Sequence, residues 1–209
     1  MLSVTKPVIV FGMLDGMVRH LFTPGQLARL ETCGRIPDPV PLSAWDDERA
    51  DGLLAEAEIL VGHWGCPTLT AEVLDRAPAL RLFAYGAGTV KWQVTDAVFA
   101  RGIVVTSAAA ANAVPVAEYA VAAILLANKG VFVVREQQRD PEARLTLDRA
   151  RVGNCGTRVG IVGASFVGRL VIDALRATDL ELAVTEVERY AAGAPPLHPV
   201  VAVDLDRIA

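Results

Sequence analysis

Arg158 to Gly168 reads RVGIVGASFVG, and the reading of the whole second half turns on it. Val159–Val162 is a short apolar run of strand character, and Phe166 to Arg176 has helical character. Between them stands a G-x-S-x-x-G turn, made by Gly163, Ala164, Ser165, Phe166, Val167 and Gly168. A strand that turns on glycine into a helix presents free backbone N–H groups and the positive end of the helix dipole, a place for a pyrophosphate. Gly163 suits the turn and Gly168 a close helix–strand approach. Ser165 stands where a glycine normally admits the phosphate, which weakens the pattern, although its hydroxyl is a further donor. Leu182–Thr185 reads as the next strand. Glu186 ends it, eighteen residues past Gly168, where an acidic side chain binds a ribose 2′-OH and repels a 2′-phosphate. A tight turn with no ligand has the same letters.

Beyond AAGAPPLHP, Val200–Val203 reads as a third strand. Only about 50 residues run from Arg158 to Ala209, whereas each βαβ unit takes roughly 30 and a complete dinucleotide domain over a hundred. An incomplete domain is expected.

Upstream, short β-rich runs alternate with helical segments. Strands are expected at Val8–Phe11, Ile59–Val61, Leu82–Tyr85 and Ile103–Thr106, and helices after Thr23-Pro24, over Asp46 to Ala57, over Leu69 to Arg76 behind a Thr68 cap, and over Val94 to Ala100. Alternation of this kind predicts a parallel, doubly wound sheet, here of flavodoxin-like order 2-1-3-4-5. Ala113 to Lys129 is a long Ala-rich helix with Val116, Ala120, Ala123, Ile124 and Ala127 on one face. Arg135 to Arg151 turns polar and reads as a linker or arm. The division predicted is 1–107, a flavodoxin-like substrate domain; 108–150, connector helix and arm; and 151–209, a partial Rossmann domain.

Composition narrows the classes. The 209 residues carry 20 Lys+Arg against 24 Asp+Glu, a net charge of -4, and are 53% hydrophobic but only 6% aromatic. Such a chain can bury enough apolar area to fold, and its acidic balance argues against nucleic acid or an anionic membrane as partner. The longest apolar run, Tyr119 to Ala127, is about half of the ~20 residues that a membrane span needs, so no spanning helix is expected. No secretory signal is legible at the N-terminus. Cys33, Cys66 and Cys155 are scattered without ligand spacing, against a disulfide framework or a metal site. A cytoplasmic protein is expected.

Three further loops carry chemistry. Tyr85-Gly86-Ala87-Gly88-Thr89 ends a strand of the first sheet, where its N–H groups can face a carboxylate or simply make a turn. His63-Trp64-Gly65-Cys66-Pro67 follows another strand. Trp64 there can wall a small pocket, but a packed Trp beside a surface His is the simpler reading. In Ser107 to Pro115, Asn112 can cap the long helix or present its amide to a ligand, and the cap is preferred. Glu118 is placed one turn into that helix, where it complements the dipole.

The stretches AEILVGHWGCPTLTAEVLDRAPALRLFAYGAGTV, RGIVVTSAAAANAVPVAEYAVAAILLA and VGIVGASFVGR, in this order, resemble the D-isomer-specific 2-hydroxyacid dehydrogenases, the group that contains phosphoglycerate and formate dehydrogenases. The resemblance implies an NAD-dependent oxidoreductase acting on CH-OH donors, which reduces a small 2-keto acid to the 2-hydroxy acid. It places the substrate carboxylate on the backbone of Ala87 and Gly88 with Trp64 lining the same pocket. Asn112 and Val116 would lie beside the nicotinamide. Ala164, Ser165, Phe166 and Val167 would cradle the pyrophosphate between Gly163 and Gly168, and Glu186 would hold the adenosine ribose. Family members commonly carry Arg where Phe166 stands. The long helix and arm would build a homodimer. The family's catalytic Arg, Glu and His match no residue here, and His20, His63 and His198 lie outside its catalytic motif, so this chain is expected to lack turnover by itself. A different class remains open beside it, a non-catalytic NAD-binding or dimerising module. A two-part α/β chain with no ligand is the third reading.

Overall fold

Each strand of the first sheet is only four residues long, and all four are parallel and end in one row. The computed structural model describes residues 6–139, 153–154, 156–178 and 181–183. The chain divides into two compact units, Met1–Asn112 and Ala113–Ala209.

In the first unit, β1 (Ile9–Gly12), β2 (Ile59–Gly62), β3 (Leu82–Tyr85) and β4 (Val104–Ser107) form one sheet in the order β1-β2-β3-β4. Isolated parallel bridges from Val8 to Arg35 and from Gly12 to Leu42 flank β1 on its other side. Those bridges occupy the place of the second strand in the expected 2-1-3-4-5 order. Pro37, Pro39 and Pro41 cannot donate to a ladder, so that segment contributes two contacts instead of a strand. Neighbouring strands align Ile9, Ile59, Leu82 and Val104 at one end, and Gly12, Gly62, Tyr85 and Ser107 at the other.

Both faces of this sheet are covered. Val10, Leu60 and Phe83 join a core with Leu54, Leu69, Leu74 and Val98. Phe11 points the opposite way, into a smaller cluster with Met13 and Val18. Full burial of each such side chain contributes about 1.5–3 kcal/mol. The covering helices begin at recognisable caps. Thr23 starts α2 (Pro24–Cys33) with a reciprocal capping box to Gln26. Asp47 caps α3 (Glu48–Glu56). The helix expected behind Thr68 is shorter, α4 (Ala71–Asp75), with Thr70 accepting from the Val73 N–H. Thr68 instead donates to the Trp92 carbonyl. α5 (Asp96–Ala100) completes the set, and a one-turn helix, α1 (Met17–Leu21), follows β1 where no helix was expected.

The long helix α6 runs Ala109–Asn128, four residues earlier than expected, with Pro115 inside it. Proline there removes one ladder hydrogen bond. Within the second unit its packed seam is Ala117, Ala120, Val121, Ile124 and Leu125, rotated from the expected stripe so that Val116 is exposed. Helical geometry also makes α6 longer than its longest apolar run. By length and composition alone, with mean hydropathy 1.6 over 18 residues, it passes the measure of a membrane span, one that the core helix of a soluble protein also passes. α7 (Val131–Arg139) is helical where Arg135–Arg139 was read as linker. β5 (Arg158–Gly160) and β6 (Glu181–Ala183) pair in parallel, and α8 (Phe166–Arg176) crosses between them with Val171, Ile172 and Leu175 buried. Val200–Val203 lies outside the described residues.

Gly62 shows how tightly the first sheet is packed. A Cβ on it meets the Phe83 ring, 2.8 Å from Cζ, and Tyr85 Cδ2 at 3.1 Å. Gly62→Ala is therefore expected to destabilise by about 1–3 kcal/mol. Gly52→Ala, on an open face of α3, is expected to stabilise by about 0.5–1 kcal/mol. Urea midpoints of the two variants check both signs.

Candidate functional site

Because the four strands of the first sheet end in one row, the loops that follow them start side by side. In open parallel sheets this carboxyl edge is where ligands bind. Backbone hydrogen bonds stitch the edge together. The His63 N–H donates to Gly12 O (3.1 Å), Gly86 N–H to Gly62 O (2.8 Å), and Leu14 N–H to Trp64 O (2.9 Å). Ala108 N–H is shared between the carbonyls of Tyr85 and Ala87 at 2.9 and 3.0 Å. The N–H groups of Ala87 and Gly88 have no acceptor among the described residues.

Asn112 lies in the first turn of α6, three residues inside the helix, and its own N–H donates to Ala108 O. It is therefore not the helix cap that its position in the sequence suggests. The hydroxyl of Ser107 accepts from Ala109 N–H at 3.3 Å and takes up that task. The exposed Asn112 amide is thus free of capping. Its Nδ2 stands 3.9 Å from where a Cβ on Gly88 would lie, so Gly88 and Asn112 are brought together. Glu118, expected one turn into the helix, falls in the middle of α6, beyond the first turn in which the dipole acts.

The pair His63-Trp64 is the reverse of the expected arrangement. Trp64 is 60% exposed and His63 only 8%. The imidazole sits between Trp64, edge-on with centroids 5.1 Å apart, and Tyr85, stacked at 6.3 Å. A Cβ on Gly86 would lie 3.0 Å from the His63 Cδ2, so glycine lets the next loop lie against the ring without displacing it. Nδ1 is buried without a hydrogen-bond partner among the described residues. Burial lowers the His63 pKa below its ordinary value, and a hydrogen bond to the Gly86 backbone opposes this. Cys66, in the same loop, is buried, and its thiol is pushed up to about 12 by that burial, so it is no nucleophile. Sequence reasoning missed His63. Its one signal is that it directly follows the last paired residue of β2, where the chain still lies in the sheet.

In the second unit the glycine loop has the geometry its letters predict. Gly163 has φ +87°, and a Cβ on Gly168 would overlap the Gly163 carbonyl oxygen. Ser165 is the N-cap of α8 and its side chain makes no capping hydrogen bond. The Arg169 side chain closes the turn, Nε donating to Ala164 O at 2.8 Å. Phe166 is exposed. The first turn of α8 leaves N–H groups without intrahelical acceptors, at Phe166 and Val167 among them. Glu186 lies outside the described residues.

No family model matches the chain. Among curated proteins, D-3-phosphoglycerate dehydrogenases of Mycobacterium bovis and Mycobacterium tuberculosis are each 30% identical over 152 residues, 70% of this chain. These matches support the resemblance of the chain to the D-isomer-specific 2-hydroxyacid dehydrogenases. It spans 28% of the length of those curated relatives. Solved family structures show the same fold. A phosphoglycerate oxidoreductase from Rhizobium etli superposes with TM-score 0.63 at 20% identity, over 96% of this chain and 62% of that one. D-mandelate dehydrogenase from Rhodotorula graminis gives 0.61 at 16% identity, covering 93% and 61%. An NAD-dependent formate dehydrogenase from Staphylococcus aureus, solved in complex with NAD, gives 0.56 at 19%, covering 85% and 54%.

The buried imidazole gives the protein a pH signature. In the unfolded chain His63 titrates at its ordinary 6.5, and in the folded state below it, so the unfolded chain takes up the proton first as pH falls. Stability is complete above about 6.5 and declines below it until the folded imidazole is itself protonated. Urea midpoints at neutral and mildly acid pH are expected to fall less in His63→Gln than in the parent. An equal fall in both would show that His63 is not the group responsible.

Proposed function

We propose that the protein is an NAD-dependent 2-hydroxyacid dehydrogenase, for which these 209 residues supply the carboxylate-binding loop and the pyrophosphate turn. The observation that carries this reading is the glycine pair in the second unit. Gly163 adopts the left-handed conformation of the tight turn, and Gly168 leaves no room for a Cβ where the helix closes on that turn, two of the three glycine roles in a pyrophosphate-binding turn. The residues present therefore fit the cofactor. Ala164, Ser165, Phe166 and Val167 would hold the pyrophosphate through N–H groups and the free Ser165 hydroxyl, and Glu186 the adenosine ribose. Bound NAD supplies hydride exchange with a small 2-keto or 2-hydroxy acid.

In the first unit, the unpaired N–H groups of Ala87 and Gly88 would receive the substrate carboxylate, and Trp64 would wall the pocket. Asn112 and Val116, one turn apart on α6, would lie beside the nicotinamide. No residue here matches the family's catalytic Arg, Glu and His. Protonating a developing alkoxide needs an acid, and holding the carbonyl needs a cation. By themselves these residues hold cofactor without turning over keto acid. The domain division 1–107, 108–150 and 151–209, with a substrate domain first and a partial NAD-binding domain last, belongs to the same reading, as does a cytoplasmic location.

A homodimer is the partner proposed. α6 and α7 expose Tyr119, Phe132 and Val133, which a second copy of the chain would cover.

Titration of the purified chain with NADH, read by energy transfer from its tryptophans, is expected to saturate. NAD should compete and NADP only weakly, and Glu186→Gln should narrow that difference. Gly168→Ala is expected to weaken binding at least tenfold, and pyruvate or glyoxylate should not consume NADH above background. Absence of saturable binding would leave kinship without function. Sedimentation velocity should give a dimer that Tyr119→Lys with Phe132→Lys disrupts, and a monomeric parent would refute the interface.

A further inference from the structure

Leu14, Trp64 and His63 form one wall beside the Gly86–Gly88 loop, and its chemistry is apolar. Leu14 follows β1 and is about half exposed. Its backbone is fastened to Trp64 O, and its side chain lies so close to Gly65 that a Cβ there would overlap it. Gly65 has φ +80°, which turns the loop and leaves the indole of Trp64 outward. His63 forms the floor between the indole and Gly86, with its ring edge against Gly86 and its centroid 5.1 Å from that of Trp64. The wall is thus continuous with the N–H groups of Ala87 and Gly88.

Charge is what this wall lacks. A side chain of Arg or Lys would be needed beside the carboxylate site to hold a second anionic group on the substrate. Leu14, His63, Trp64, Gly65, Gly86 and Gly88 offer none. Burial disfavours a proton on His63, so the floor is neutral at physiological pH. Lys91 is the cation of this loop segment, and it is exposed, two residues beyond Thr89. A large aromatic face left in water next to a polar backbone site gains by covering apolar ligand surface, at roughly 25 cal/mol per Å².

We propose that Leu14 and Trp64 receive the C2 substituent of the substrate, and that the site prefers a 2-keto acid with an apolar, aromatic-sized substituent over a small or phosphorylated one. The proposal rests on the function proposed above, because it assumes that the carboxylate sits on Ala87 and Gly88.

The test is calorimetric titration of the NADH-loaded chain with phenylpyruvate, glyoxylate and 3-phosphohydroxypyruvate, all 2-keto acids. Phenylpyruvate is expected to bind at least tenfold more tightly than either of the others, and to shift the Trp64 indole N–H resonance. Trp64→Ala should remove the preference by weakening phenylpyruvate several-fold more than glyoxylate, and Leu14→Ala should reduce it in part. Equal affinity for phenylpyruvate and glyoxylate would overturn the specificity and leave the parent reading standing, as would tighter binding of 3-phosphohydroxypyruvate. Uniform loss of affinity for all three acids in Trp64→Ala would show a structural role only and refute the subsite. Binding of none of the acids by the parent chain, with NADH bound, would overturn the carboxylate site and the subsite with it.

Discussion

The alignment of four parallel strands so that Gly12, Gly62, Tyr85 and Ser107 end in one row is the constraint on which the first unit depends. Parallel strands send every returning connection over the faces, so the loops that leave the carboxyl ends are free to meet. Here they meet through the backbone. Gly86 bonds to Gly62, His63 to Gly12, and Ala108 to Tyr85 and Ala87. A loop edge held by main-chain hydrogen bonds is rigid without using side chains, and side chains are then available for recognition. That is why Trp64 and Asn112 can stand exposed beside backbone N–H groups that remain unpaired.

Much of this was legible because parallel sheets write themselves plainly. Short apolar runs at Ile59–Val61 and Leu82–Tyr85, separated by capped helices, leave little choice of architecture. What escaped the sequence was local and has physical causes. Helix starts moved because a nearby hydroxyl competed for each cap, Thr70 for Thr68 and Ser107 for Asn112. The stripe on α6 was misjudged because Ala and Val alternate all around it, and with such uniform side chains periodicity does not say which face is inward. The second strand of the five-stranded order dwindled to two bridges because its prolines cannot donate. His63 and Trp64 exchanged places for a reason no composition rule contains. The polar imidazole is covered by its neighbours, while the larger indole is turned out by the left-handed Gly65.

The second unit rests on a different contact, the overlap that any Cβ on Gly168 would have with the Gly163 carbonyl. Glycine spacing alone is a weak signal, since glycine serves many turns. The positive φ of Gly163 and the closed approach at Gly168 give each position its own reason to be glycine, reasons that a ligand-free tight turn shares. Ser165 departs from the family pattern at the middle position, yet its uncommitted hydroxyl leaves a donor at the helix end. The substitution changes the kind of contact and keeps the polarity.

The two loop systems differ in how they handle charge, and this difference carries the functional argument. At the glycine loop the Arg169 guanidinium is tied to Ala164 O and Phe166 is exposed, while Leu14 and Trp64 bring no Arg or Lys to the other loop system. On the function proposed, recognition of anionic groups would fall to backbone N–H groups, which are fixed by the fold and cannot reach outward to a distant second anion. An arginine tolerates displacement of its ligand because its long stem follows. A backbone amide does not. On the specificity proposed, a chain built this way would discriminate by shape at the apolar wall, and its tolerance for substrates carrying a second anionic group would be correspondingly narrow.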